Sequence, residues 1–286
     1  MVATVALLLV FSVPLYHWIR FAFGSDLYSH MVLIPFISAY LVWQQRKSLP
    51  RFLTPARPWA VFPFVAGAVL LGLYGLLALS GTALQTDDTL ALTMLSLVLF
   101  FLGACCWFLG RETLRAIAFP LVFLVFMAPF PHFVRTWGET FLQHGSAWTA
   151  YAFFKVAGTP VFNDGMVFRL PGFSLEVAPQ CSGVHSTVAL FITSLVAAYF
   201  FLRRPWTRAT LTLAVIPLAF LRNGFRVFTI GELCVHVGPH MIDSPIHHHG
   251  GPLFFALSLI PFFLLLLWLI RLDRRAGQGR EGVIAT

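Results

Sequence analysis

The chain alternates long apolar runs with short polar breaks. A helix needs roughly 20 mostly apolar residues to cross about 30 Å of hydrocarbon. Eight runs reach or approach that length: 3–20, 29–44, 59–80, 89–109, 116–130, 183–202, 209–228 and 252–270. Those at 29–44 and 116–130 are the shortest.

The stretch 131–182 follows a different pattern. Phe133, Trp137, Phe141, Trp148 and Tyr151 recur among His132, Arg135, Glu139, Gln143 and Lys155. This roughly helical spacing predicts an amphipathic helix over 132–156, lying on the membrane surface. Gly158 and Pro160 break it. Beyond them, Asn163-Asp164-Gly165 and Pro171-Gly172 separate β-favouring runs and predict a small β-meander. The meander leads to Pro179-Gln180-Cys181-Ser182-Gly183 at the mouth of the sixth run. The predicted fold is an all-α integral membrane protein of about eight transmembrane helices, with this surface helix and meander before span six. Residues 1–286 are read as a single multi-pass domain.

Composition narrows the picture. Of 286 residues, 58% are hydrophobic and 10% are Asp, Glu, Lys or Arg, against about 25% charged residues in ordinary soluble domains. So few charges cannot cover a soluble globule of this apolar content. A soluble enzyme, a disordered chain and a disulfide-stapled domain are excluded. The first run lacks a basic leader and a small-residue cleavage site, so it reads as a retained span.

The net charge of +8 reads as orientation signal, not as a nucleic-acid footprint. With the N-terminus cytoplasmic, 13 of the 19 Lys and Arg fall on cytoplasmic segments, among them Arg271, Arg274, Arg275 and Arg280 of a basic tail, 271–286. Both termini are then inside and 131–182 is outside. Arg20, Arg135, Lys155, Arg169, Arg222 and Arg226 remain.

Ionisable residues in or beside spans are costly and therefore mark candidate chemistry. Three clusters share the outer face of this topology. Cys181 sits where a turn becomes a helix, with Glu176 upstream and Ser182, Gly183 and His185 downstream. A helix N-terminus favours thiolate over thiol. Cys105, Cys106 and Cys234 read as small buried hydrophobes. Arg222 and Arg226 are i and i+4 on one helix face with Asn223 between them, a guanidinium pair suited to a carbonyl or oxyanion. His247, His248 and His249 precede Gly250-Gly251 and suit proton transfer near neutral pH. With His236, His240 and Asp243 the same tract could instead hold a metal. A thiol, a guanidinium pair and an imidazole at one membrane face form the inventory for thiol acyl transfer. A metal-binding membrane protein or metallohydrolase, and a non-catalytic component of polysaccharide export, stand as alternatives.

Glu176-Val-Ala-Pro-Gln-Cys181-Ser182-Gly183, Asn223-x-x-Arg226-Val and His247-x-x-x-Gly251-x-x-x-Phe255 together resemble the exosortase/archaeosortase family of membrane cysteine transpeptidases. Tyr28-Ser-His30 with Ile34-Pro35, and Asp164-Gly165, resemble further parts of its pattern. One departure is His185, where the family often has Arg. The resemblance implies Cys181 as nucleophile, Arg226 as oxyanion or carbonyl partner and His247 as acid/base. His248 is the second choice for that base, and Arg222 could replace Arg226. It implies no cofactor. It further implies that the partners are C-terminal sorting tails of exported proteins, of the Pro-Glu-Pro type, met in the bilayer of the bacterial cytoplasmic membrane. Exopolysaccharide-synthesis proteins are a further implied association.

Overall fold

The computed structural model describes residues 2–25, 27–47, 49, 57–177, 182–244 and 250–284. The chain divides into two compact units, Met1–Arg135 and Thr136–Thr286.

The first unit holds α1 (Val2–Val10), α2 (Ser12–Gly24), α3 (Leu33–Gln45), α4 (Arg57–Leu79), α5 (Thr86–Phe108), α6 (Arg111–Ala116) and α7 (Ala118–Phe123). Helices α4 and α5 are long and apolar enough to cross a membrane. Of α4, only Ala60 and Gly67 are buried, whereas Phe62, Val69 and Leu79 stand exposed. That inversion is expected where lipid is the solvent. Helices then meet through close packing and small residues rather than by hiding apolar surface from water. Gly67 lets the two backbones approach, and its carbonyl accepts a hydrogen bond from Ser96 Oγ at 2.9 Å.

The other runs of this unit are interrupted. Run 3–20 breaks at Phe11 into α1 and α2, bent by 73°. Run 29–44 begins as a 3-10 turn, Ser29–Val32, before the 13-residue α3. Run 116–130 becomes the six-residue α7 and a 3-10 turn, Leu124–Met127. Buried donors tie these pieces together: Trp18 Nε1 donates to the Met127 carbonyl at 2.7 Å. Tyr28, fully buried, lies with its hydroxyl 3.5 Å from the Phe130 carbonyl. The first turn of α5 carries Asp87 and Asp88. Asp87 pairs with Arg135 at 2.6 Å, and Asp88 accepts the His132 backbone N–H at 2.8 Å.

In the second unit, α8 (His132–Ala157, its first turn counting with the first unit) precedes strands β1 (Phe162–Asp164), β2 (Val167–Leu170) and β3 (Phe173–Glu176). Four helices follow: α9 (Val184–Phe201), α10 (Pro205–Leu213), α11 (Val215–His236) and α12 (Gly251–Ile284). The strands form one antiparallel sheet in the order β1-β2-β3. Each hairpin turn carries a glycine at positive φ, Gly165 at +66° and Gly172, after Pro171, at +86°. The meander expected from the sequence is present.

Alternation along β2 buries Phe168 and Leu170 and exposes Arg169. The buried face joins Leu175 and Val177 with Ala147, Ala150 and Phe154 of α8 and Val227, Ile230 and Cys234 of α11. The helix expected over 132–156 is also present. Phe133, Trp137, Phe141 and Trp148 are exposed, while Ser146, Ala147, Thr149 and Ala150 are buried. Small residues permit the approach: a Cβ on Gly224 would fall 2.7 Å from Thr149, and one on Gly231 would fall 2.5 Å from the Phe154 ring.

Helix α12 packs on α9 and α10 through Phe262, Leu266 and Leu269. Its Asp273 accepts the Arg203 N–H at 2.8 Å and the Thr207 hydroxyl at 3.2 Å, placing a carboxylate at the start of α10. By length and composition, five helical segments among the described residues can cross a membrane: α4, α5, α9, α10–α11 and α12. The count reaches seven if the pair α1–α2 and the pair 118–127 with α8 each make one bent span.

Gly231→Ala is expected to lower stability by about 1–3 kcal/mol, because the buried Phe154 ring cannot yield. Gly72→Ala, where no atom lies within 4 Å of the new Cβ, should lower it not at all. Thermal unfolding of both variants in detergent measures the contrast.

Candidate functional site

Strand β3 ends at the exposed Glu176, and the buried Val177 follows it. Val177 is held from both sides. Its N–H donates to the Met166 carbonyl at 2.9 Å, and its own carbonyl accepts from Gln143 Nε2 on α8. The motif cysteine follows four residues later, and Cys181 lies outside the described residues, as do His247, His248 and His249.

The chain returns at Ser182, which is buried, and Gly183. Gly183 has φ +72° and ψ +20°, a left-handed conformation that turns the chain into α9. Its carbonyl is heavily engaged. It accepts the Thr187 N–H at 3.0 Å, the Thr187 hydroxyl at 2.8 Å and the Ser186 hydroxyl at 3.1 Å. The fourth donor is Arg222 Nη2, at 3.0 Å, which also donates to Thr187 Oγ1 at 2.9 Å.

Arg222 thus sits deep in the second unit, 8% exposed, on a helix of membrane-crossing length. Its Nη1 has no hydrogen-bond partner among the described residues. Asn223 is buried beside it, with Oδ1 3.3 Å from the place a Gly183 Cβ would occupy. Two motifs forty positions apart in sequence are therefore in contact: Ser182-Gly183 lies against Arg222-Asn223.

Arg226, one turn further along α11, is half-buried. With Asn223 and Glu176 it lines a small cavity of about 20 Å³, closed by Leu175, Val177, Val227 and Ile230. Arg222 instead lines a cleft of about 340 Å³ between α11 and α12, with Phe225, Phe254 and Ser258. The two guanidiniums therefore occupy different surroundings. Gly250, buried, and Gly251 begin α12 directly after the histidine tract, and Phe254 packs on Phe225 with ring centroids 6.1 Å apart.

The remaining expected site residues separate. His185 is exposed on the first turn of α9. His236 pairs with Glu232 at 3.0 Å, and Glu232 also accepts from the Thr159 hydroxyl. His240 is exposed. Among the described residues, no three His, Cys, Asp or Glu side chains gather as a metal set. Cys234 is buried in the core shared by α8, α11 and the sheet, as expected of a small hydrophobe. Two contributors escaped the sequence reading. Thr187 carried a signal, since it falls one turn after Gly183 on α9. Gln143 carried none beyond being a polar position on α8.

Residues 18–264 match the family described as transmembrane exosortase, and the chain belongs to that family. The match covers both units and every motif named above. It brings with it the catalytic role typical of a family of membrane cysteine transpeptidases. No curated protein and no solved structure matches the chain.

Gly183→Ala is expected to cost about 1–2 kcal/mol for the left-handed conformation alone. It also places a methyl 3.0 Å from Arg222 Nη2. Thermal unfolding should show a loss at least as large as the backbone cost.

Proposed function

We propose that this protein is a membrane cysteine peptidase/transpeptidase that cleaves C-terminal sorting tails of exported proteins through a thioester on Cys181. The observation that carries the reading is the contact of Ser182-Gly183 with Arg222-Asn223. It joins the segment bearing the motif thiol to the one bearing the motif guanidinium.

Cys181 lies three residues before the first residue of α9. Peptide dipoles at that helix end favour the thiolate. The thiolate adds to the scissile carbonyl carbon, and the carbonyl oxygen takes up the negative charge. Arg226, facing the cavity beside Val177 and Glu176, donates to that oxygen. An oxyanion donor of this kind is worth about 3–4 kcal/mol of transition-state stabilisation. As the intermediate collapses the C–N bond breaks, and His247 delivers a proton to the departing amine, with His248 as the alternative donor. An amine, hydroxyl or water then attacks the thioester and regenerates the thiol.

In this reading the chain is one multi-pass domain of eight passes, counting the short run 29–44. Both termini are cytoplasmic and the site faces the outside of a bacterial cytoplasmic membrane. Segment 131–182 is the outer-face approach to Cys181 and 271–286 the cytoplasmic basic tail. Asn223 supports the guanidinium pair, Glu176 and His185 flank the thiol, and no cofactor is required. Cells that make this enzyme would use it on tails ending in a transmembrane helix and basic residues, in association with exopolysaccharide synthesis.

Cys181→Ala and Cys181→Ser should abolish tail processing while the protein still inserts. A mass spectrum of a tail-bearing protein from cells with each variant reads this directly, and normal cleavage by Cys181→Ala would overturn the proposal. His247→Ala should reduce processing more than His248→Ala; the reverse order transfers the acid/base role to His248.

A further inference from the structure

We propose that the first unit carries a binding site for the phosphate headgroup of an anionic phospholipid, in a cavity between α2, α4 and α5. The cavity measures about 620 Å³, within the range of small-molecule sites. Its polar wall is contributed by Arg20 and His17 of α2, Tyr74 of α4, and Thr86 and Thr89 of α5. Among the described residues, neither Arg20 nor the Tyr74 hydroxyl has a hydrogen-bond or ion-pair partner. Arg20 is exposed and Tyr74 half-buried, so a guanidinium and a phenol face one space in which both are open to a ligand.

Charge selects an anion. Among the described residues, no carboxylate lines the cavity. The two acids closest in sequence to Thr86 are occupied elsewhere, Asp87 by Arg135 and Asp88 by the His132 N–H. Arginine binds phosphate oxygens with two parallel hydrogen bonds, which Tyr74 and the threonine hydroxyls can extend.

Position selects a lipid. Tyr74 is near the end of α4 and Thr86 begins α5, and both helices are long and apolar enough to span. The cavity therefore flanks the turn by which two spans leave the bilayer, where headgroups lie. Its other wall is hydrocarbon from Val13, Phe21 and Leu90, suited to the first part of an acyl chain. Leu76 and Leu79, just outside, are exposed to the same lipid. Arg20 is also one of the few basic residues that the proposed topology leaves on the outer side. A phosphate partner accounts for a cation that runs against the orientation rule.

The test uses the full chain purified in a neutral detergent. Dioleoylphosphatidylglycerol, dioleoylphosphatidylcholine and inorganic phosphate are titrated separately, with native mass spectrometry and thermal unfolding as readouts. The wild type should retain phosphatidylglycerol and unfold at a higher temperature with it, with inorganic phosphate failing to compete. Arg20→Gln should weaken retention about tenfold and Tyr74→Phe about threefold. Arg111→Gln, an exposed arginine of the same unit outside the cavity, should behave as wild type. Equal retention by wild type and Arg20→Gln overturns the proposal, as does phosphatidylcholine binding as tightly as phosphatidylglycerol. Inorganic phosphate displacing the lipid at equal concentration overturns the lipid assignment and leaves a soluble anion as the ligand.

Discussion

A guanidinium within a membrane-crossing helix is tolerable only if its protons are received by protein, and Arg222 is received by Gly183. Transfer of an arginine to the centre of a span costs about 2.5–3.5 kcal/mol on insertion scales. Arg222 has no carboxylate partner among the described residues; a backbone carbonyl and the Thr187 hydroxyl accept from it instead. Much of the second unit follows from that requirement. The carbonyl is presented inward because Gly183 turns left-handed at the start of α9. The guanidinium reaches it because α9 and α11 pack closely, and α11 in turn rests on α8 at Gly224 and Gly231. The β-meander then has a fixed floor, the apolar strip of Ala147, Ala150, Val227 and Ile230. It brings Val177 to within four residues of the motif cysteine.

The first unit meets the same constraint with carboxylates. Asp87 at the start of α5 takes Arg135, and Asp88 takes a backbone N–H at the first turn of α8. Asp87 and Asp88 in the first unit and the Gly183 carbonyl in the second all lie at the starts of helices, where unpaired N–H groups also need partners. Apolar side chains are released to face lipid. This explains why the exposed surface of α4 is richer in Phe, Val and Leu than its buried face. Small residues, Gly67 between α4 and α5 and Gly224 and Gly231 between α8 and α11, let those helices approach closely.

Sequence patterning exposed the parts of this fold that depend on hydropathy and turn chemistry. The long spans, the helix after residue 131 and the meander with its Gly165 and Gly172 turns could all be read from it. Hydropathy does not report orientation in lipid. The aromatic stripe of α8 marks the helix as amphipathic without naming its protein contacts: Phe133, Trp137 and Trp148 point away from the protein while Ala147 and Ala150 pack inside. Nor does hydropathy resolve a break of one residue. Phe11 is as apolar as its neighbours, yet the helix axis bends there by 73°. At the site, residue type alone located Arg222 and Arg226. It could not divide them, because i and i+4 positions share a face in any straight helix. Gln143 was invisible as a site residue, since its hydrogen bond to Val177 joins positions 34 apart.

The division between the two arginines bears on how the proposed chemistry would work. A group that stabilises a developing oxyanion must have protons directed at the reacting atoms. Arg222 spends Nη2 on Gly183 and Thr187, and its other face looks toward an apolar cleft. Arg226 looks toward the cavity bounded by Glu176 and Val177, the last described residues before the cysteine segment. In the proposed mechanism Arg226 is the catalytic guanidinium, and Arg222 is a positioning one that holds Gly183. Lysine could replace neither. An ammonium lacks the planar fork of the guanidinium, and it carries a more compact, more strongly hydrated charge that costs more to bury. The i,i+4 repeat of arginine thus places one guanidinium on Gly183, just after the motif cysteine in sequence, and the other beside Glu176 and Val177, just before it.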